Sequence, residues 1–346
     1  MTKKQDIRTL SKEALRKFFE NNHEKAFRGN QVYEWLWVKS AHSFEEMTNI
    51  SKETRLLLEE YFVINHIKVD QMQRSADGTI KNAVKLHDGF IVESVLIPTE
   101  TRTTACVSSQ VGCSLDCTFC ATAQLQKKRN LNPDEIYDQV AIINQQSKLY
   151  FGRKLSNIVF MGMGEPLMNY NNVLLAIDKI TADEGLAMSP KRITLSTSGI
   201  PKMIKKLADD EVKFNLAVSL HSAQEEIRNK IMPFSTSFPL DDLKEALLYW
   251  YQKTKSKVSF EYVIWKGIND TEDAIGALVK FCKQVPSKVN LIEYNPVENS
   301  GFQQASPEII NKYIETLERH KIIVNVRRSR GKDIDAACGQ LANKQS

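Results

Sequence analysis

From about residue 104 the chain settles into one rhythm. Short apolar, β-branched runs (TACVSSQ, NIVFMGM, RITLSTS, FNLAVSLHS, VSFEYVIW, VNLIEYN) alternate with amphipathic stretches such as NPDEIYDQVAIINQQ, NVLLAIDKIT, PKMIKKLADD, LDDLKEALLYWYQKT and TEDAIGALVKFCKQV. Strands separated by helices pair in parallel, and right-handed crossovers put the helices outside the sheet. The alternation therefore predicts an α/β fold with a partial (β/α)6 barrel over residues 104–330. A further helix (306–320) and strand (322–328) complete it, and a glycine-bearing tail, 331–346, follows.

The segments ahead of the barrel have other periods. Ser11 can cap KEALRKFF, and Asn30, after Gly29, precedes QVYEWLWV. Ser43 with Glu46 makes a capping box, and Ser51 can cap KETRLLLEEYF, so residues 1–65 are predicted as a small N-terminal helical domain. Residues 66–103 hold three strand-like runs separated by Asp77-Gly78 and Asp88-Gly89, the signature of a short β-meander leading into the barrel.

Hydrophobic residues make up 42% of the 346, enough for a substantial core. No run approaches the roughly eighteen apolar residues of a membrane helix, and the opening MTKKQDIRTLSKEALRKFFE has no signal-peptide core. These features predict a cytoplasmic protein with no membrane association, in which the six cysteines are reduced or metal-bound. Nothing in the sequence demands more than a monomer. A net charge of +5 is mildly basic, but it gathers in QKKRN (Lys127, Lys128, Arg129) and VRRSRGK (Arg327, Arg328, Arg330, Lys332), clusters suited to a nucleic-acid backbone.

In α/β barrels chemistry gathers at the carboxyl ends of the strands. Here VGCSLDCTFCATAQ follows the first strand, GMGEP the second, STSG the third, SLHS the fourth and EYNP the sixth, so the polar motifs converge on one rim. Cys113, Cys117 and Cys120 are spaced by three and then two residues. A disulfide wants pairs and a structural zinc wants four ligands; three thiolates leave a metal site one ligand short. Zinc with Cys106 as the fourth ligand stays open as an alternative, although a seven-residue offset is not a zinc knuckle. GMGEP lacks the Gly-Lys-Ser/Thr of a phosphate loop.

The spacing, with Phe119 before the last cysteine, resembles the C-x3-C-x-Φ-C signature of the radical S-adenosylmethionine (SAM) superfamily. That resemblance implies a [4Fe-4S] cluster with three irons on thiolates and the fourth chelated by SAM. CVSSQVGCSLDCTFCATA, MGMGEPLMN, LSTSG, AVSLHS, YNP and DIDAACGQL further resemble the RlmN-type adenine-C2 RNA methyltransferases over residues 80–342. Adenine C2 is too electron-poor to attack the methyl of SAM, so the methyl must first pass to a thiolate and then be made reactive by a radical.

The family resemblance implies roles residue by residue. Cys338 accepts a methyl from one SAM, a second SAM supplies the radical, and Cys106 releases the product through a transient disulfide with Cys338. Glu93 matches the proton acceptor; strand period puts it beside Ile91, Val95 and Ile97, an aliphatic setting that makes a carboxylate more basic. Gly164 and Glu165 match the segment receiving the SAM amino group, and Ser196, Ser219, Leu220, His221 and Asn295 match other SAM contacts. The implied partners are 23S rRNA at the peptidyl transferase centre, tRNA beside the anticodon, and a flavodoxin-type or ferredoxin-type electron donor. Cys282, in ALVKFCKQV, reads as packing. The competing readings are the sister enzyme that methylates C8 of the same adenine, a radical SAM enzyme on a non-RNA substrate, and a zinc-holding RNA-binding module.

Overall fold

A computed structural model describes residues 4–298 and 300–343. The N-terminal elements are β1 (Gln5–Asp6), α1 (Lys12–Asn21), α2 (Phe27–Trp37), α3 (Lys52–Tyr61) and β2 (Phe62–Val63). The meander is β3 (Lys68–Arg74), β4 (Ile80–Lys85) and β5 (Ile91–Pro98), followed by β6 (Thr103–Cys106) and a small ladder of β7 (Gln110–Val111) with β8 (Arg129–Asn130). Then come α4 (Pro133–Phe151), β9 (Asn157–Phe160), α5 (Tyr170–Thr181), β10 (Ile193–Thr197), α6 (Pro201–Asp209) and β11 (Asn215–Ser219). The chain ends with α7 (Glu225–Ile231), α8 (Leu240–Thr254), β12 (Val258–Val263), α9 (Glu272–Gln284), β13 (Ser287–Ile292), α10 (Pro307–Arg319) and β14 (Ile323–Arg327).

Ten strands form one sheet in the order β14-β13-β12-β11-β10-β9-β6-β5-β4-β3. Strands β6 and β9 to β14 run parallel, as the alternation with helices requires, so β14 is a seventh parallel strand beyond the six of the predicted barrel. The meander is continuous with this sheet, because β5 pairs antiparallel with β6 and sets Val95 opposite Cys106. Glu93 and Cys106 are thereby carried on adjacent strands.

Helix signals at the N-terminus were legible where a side chain caps a run. Ser11 accepts from Ala14 N–H and Ser51 from Thr54 N–H. Asn132 and Glu135 form a capping box at the start of α4, with Pro133 at its first position. Two expectations fail. Asn30 lies inside α2, which begins at Phe27, because Gly29 marks a helix crossing and not a boundary: a Cβ there would stand 2.6 Å from Arg16 N in α1. Ser43 and Glu46 do contact each other, at 3.4 Å, but no helix follows them. Phe44, Met47 and Ile50 are instead buried as single anchors of a turn-rich segment. The two-residue parallel ladder of β1 with β2 is too short to leave a periodic signal in the sequence.

The helical region docks on α4. Arg8 reaches Asp134 at 2.9 Å and Asp138 at 2.8 Å, all buried, and Trp37 meets Tyr137 edge-on at 5.1 Å. Burial pushes Asp134 up to about 7 while Arg8 pulls the other way. Among the described residues no helix is long and apolar enough to cross a membrane.

Candidate active site

The segment after β6 bends back and forth over the sheet's carboxyl edge. Thr118 N–H bonds Ile231 O at 3.0 Å, Asp116 accepts from Phe234 N–H at 2.9 Å, and Ala121 N–H bonds Gly339 O at 2.8 Å. Phe119 is wedged between His221 and Trp265, each 4.9 Å away between ring centroids. So anchored, Cys113, Cys117 and Cys120 line one cavity of about 1070 Å³, its open mouth included. Burial raises all three thiols, Cys113 to about 11, and at Cys117 the other two add to the effect. Metal binding displaces such protons.

The predicted contacts divide. Gly164, Glu165, Ser196, Ser219, His221 and Asn295 all line the same cavity. Gly164 needs its φ of +93°, and a Cβ would come within 2.5 Å of Gln110 Cβ. Glu165 is buried, which raises its carboxyl, while N–H groups of Leu167 (3.0 Å) and Ser198 (2.7 Å) bond it. Asn295 Oδ1 is buried without a hydrogen-bond partner, an acceptor ready for a ligand donor. His221 is held neutral: burial, then Arg228, lower it to about 3, and its Nδ1 accepts from Val263 N–H at 3.2 Å. Leu220 departs from expectation. Its side chain is fully buried in the main core, and its carbonyl accepts from Arg228.

Arg228 itself was not foreseen. It is fully buried and bonds Ser198 O at 2.6 Å and Ser219 O at 2.9 Å, tying the ends of β10 and β11 together under the cavity. The only sequence signal was a charge in the short helix after SLHS.

A second cavity of about 660 Å³, its open mouth included, adjoins the first, with Cys106 and Cys338 in its wall. Cys338 lines both cavities, whereas Cys106 lines only the second. Cys106, the fourth ligand of the zinc alternative, therefore does not line the three-cysteine cavity. Cys338 meets open space inside the cavities yet has protein all round; this raises its thiol to about 11, against the pull of Arg327. Burial raises Cys106 to about 12. Cys282 is buried in the core on α9, as expected.

Glu93 is buried but not among hydrocarbon alone. Lys81 Nζ stands 3.4 Å from its Oε1, and the N–H groups of Ala342 and Asn343 bond its Oε2 at 2.8 and 3.1 Å. Glu93 lines neither cavity, and the charged neighbour on β4 was invisible to the strand period. The basic clusters are also partly spent internally. Arg129 pairs with Asp88 and Glu135, Arg327 pairs with buried Glu261 at 3.1 Å while staying partly exposed, and Lys332 pairs with Glu293 at 2.9 Å. Lys127, Lys128, Arg328 and Arg330 remain exposed.

Three thiols on one loop, facing a cavity that also presents Asn295 and the Gly164–Glu165 turn, fit a cluster with three protein ligands and an amino-acid-bearing cofactor. Comparison with known proteins agrees. The description "Radical SAM superfamily" matches residues 107–279, and "Ribosomal RNA large subunit methyltransferase N-terminal domain" matches residues 5–64. A "probable dual-specificity RNA methyltransferase RlmN" of Flavobacterium psychrophilum is 75% identical over 99% of each chain. One of Streptococcus agalactiae is 41% identical over 98% of this chain and 93% of its own. The crystal structure of a radical SAM methyltransferase from Sphaerobacter thermophilus superposes with a TM-score of 0.93 at 34% identity, covering 98% of this chain and all of that one.

Proposed function

The chain belongs to the RlmN family of radical SAM RNA methyltransferases, and from that premise we propose that it methylates C2 of one adenine in 23S rRNA and of an adenine beside the tRNA anticodon. The observation that carries this reading is the position of Cys338 between the three-cysteine cavity and Cys106.

Cys113, Cys117 and Cys120 would hold the cluster, with Gly164, Glu165, Ser196, Ser219, His221 and Asn295 around SAM. When bound, these groups supply in two SAM equivalents a methyl and a hydrogen-abstracting radical, and they take back one electron. Cys338 gives up its proton and carries the methyl as a thioether. After loss of one hydrogen its methylene carbon bonds to adenine C2, so protein and RNA are joined. Glu93 takes the proton from C2. Cys106 gives up its thiol proton and its sulfur bonds to Cys338 sulfur as the carbon–sulfur bond breaks; the electron pair of that bond goes to the freed methylene, which takes a proton to become the methyl. The exposed Lys127, Lys128, Arg328 and Arg330 would hold phosphates, and both target adenines would be flipped from loops, where that costs least.

The test uses reconstituted protein, reductant, SAM deuterated on its methyl, and unmodified RNA, with mass spectrometry of the nucleosides. 2-Methyladenosine carrying two deuteriums is expected. Three deuteriums would defeat the methylene route, and label on C8 would select the sister activity.

A further inference from the structure

Lys81 is a buried cation without an assigned task. It lies on β4 directly opposite Val95, so Glu93, two residues before Val95 on β5, is its diagonal neighbour on the same face of the sheet. The two side chains are 6% and 2% exposed, and Lys81 Nζ is 3.4 Å from Glu93 Oε1. The same ammonium reaches Asp335 O, three residues before Cys338, at 3.5 Å. Lys81 thus touches both the carboxylate and the loop that bears the methyl-carrying cysteine.

The two oxygens of Glu93 are held by different parts of the chain. Oε1 faces Lys81, part of the sheet; among the described residues Oε2 accepts from the main-chain N–H groups of Ala342 and Asn343. An oxygen already accepting two hydrogen bonds has no lone pair directed at an incoming C–H. For Glu93 to act on the adenine, residues 342–343 must move off Oε2. Once they do, Lys81 is the side chain still fixing the carboxylate, and without it the carboxylate can rotate about its final torsion.

We propose that Lys81 is the positioning residue of Glu93, holding Oε1 so that Oε2, uncovered when residues 342–343 withdraw, faces C2 of the joined adenine. The C2 proton goes to Oε2, and the pair of electrons from the C–H bond stays in the ring. This rests on the reading of Glu93 as proton acceptor given above, and the experiment separates the two.

Lys81→Met, Lys81→Arg and Glu93→Gln are loaded with cluster and given SAM and RNA in a single turnover. Three readouts are taken: methyl on Cys338 by intact mass, 5′-deoxyadenosine, and protein–RNA adduct on a denaturing gel. Lys81→Met is expected to methylate Cys338 and form 5′-deoxyadenosine normally, but to hold the adduct at least tenfold longer, as Glu93→Gln does. Lys81→Arg, which keeps a cation at Oε1, is expected to restore release. A merely structural ion pair would depress all three readouts together and would not be rescued selectively at the last. Normal adduct release by Lys81→Met, or uniform loss of every readout in both Lys81 variants, overturns the inference while leaving Glu93 untouched. Normal release by Glu93→Gln overturns the underlying reading instead.

Discussion

Two irregular, cysteine-bearing segments meet at the rim, residues 111–121 and 331–343, and they are held differently. The first is fixed at short intervals: Thr118, Asp116 and Ala121 each bond a neighbouring rim segment, and Phe119 packs into an aromatic cluster. The second hangs from distant points. Asp333 accepts from Ser75 Oγ at 2.6 Å and from Ala76 N–H at 3.1 Å, and Asp77 accepts from Gly331 N–H at 3.0 Å, all at the tip between β3 and β4. Asn295 donates to Cys338 O at 3.3 Å, and past it the chain settles on Thr122 and Glu93. Its middle is also tied, by Lys81 to Asp335 O at 3.5 Å and by Ala121 N–H to Gly339 O at 2.8 Å, so the sulfur that lines two cavities is suspended from several distant parts of the chain.

The comparison breaks most visibly if the two segments prove interchangeable. Cys117→Ala is expected to lose both iron and 2-methyladenosine. Cys338→Ala is expected to keep iron content and yet form no 2-methyladenosine above background. Iron and labile sulfide assays with nucleoside mass spectrometry decide it. Retained methylation by Cys338→Ala would show that the second segment only closes the cavity.

The same contrast explains what could be read from the sequence. Cysteine spacing is local, so Cys113, Cys117 and Cys120 were legible as a set that lines one cavity, as were the strand ends that gather Gly164, Ser196, Ser219 and Asn295 around them. Partnerships made across the fold left no local trace. Nothing near Lys81 announces Glu93, and nothing near Arg327, which stays partly exposed, announces its ion pair with Glu261, sixty-six positions away. Arg228 was hidden for a related reason, since its partners are main-chain carbonyls, which no sequence pattern displays. Leu220 shows the converse: a residue inside a matching motif can contribute backbone alone.

A sharper form of the comparison concerns Cys338 itself. Burial raises its thiol to about 11; Arg327 opposes this, and Glu261 and Cys120 reinforce it. A raised thiol is protonated below that pH, so thiolate at pH 7 falls on the order of a hundredfold below that of a free cysteine. Peptide-resolved alkylation of the metal-free protein with iodoacetamide should therefore climb about tenfold per pH unit at Cys338 up to about pH 11. A plateau near pH 9, as for a solvated thiol, would mean that the segment leaves its seat before it reacts.

Loosening one suspension point should have the smallest effect. Asp333→Ala removes the bonds from Ser75 and Ala76 but leaves Gly331 on Asp77, so one of the two ties to the hairpin survives. Local opening of the segment becomes easier while the sheet, whose ladders do not include Asp333, keeps its stability. Alkylation of Cys338 is expected to quicken a fewfold at every pH. The pH dependence should keep its position, because the groups around the sulfur are unchanged, and Cys113, Cys117 and Cys120 should react as before. If all four cysteines quicken together, Asp333 supports the whole rim, and the two segments are less independent than their contacts imply. If none does, the hold on Cys338 lies past it, at Thr122 and Glu93, and the tail rather than the hairpin governs when the sulfur is free to move.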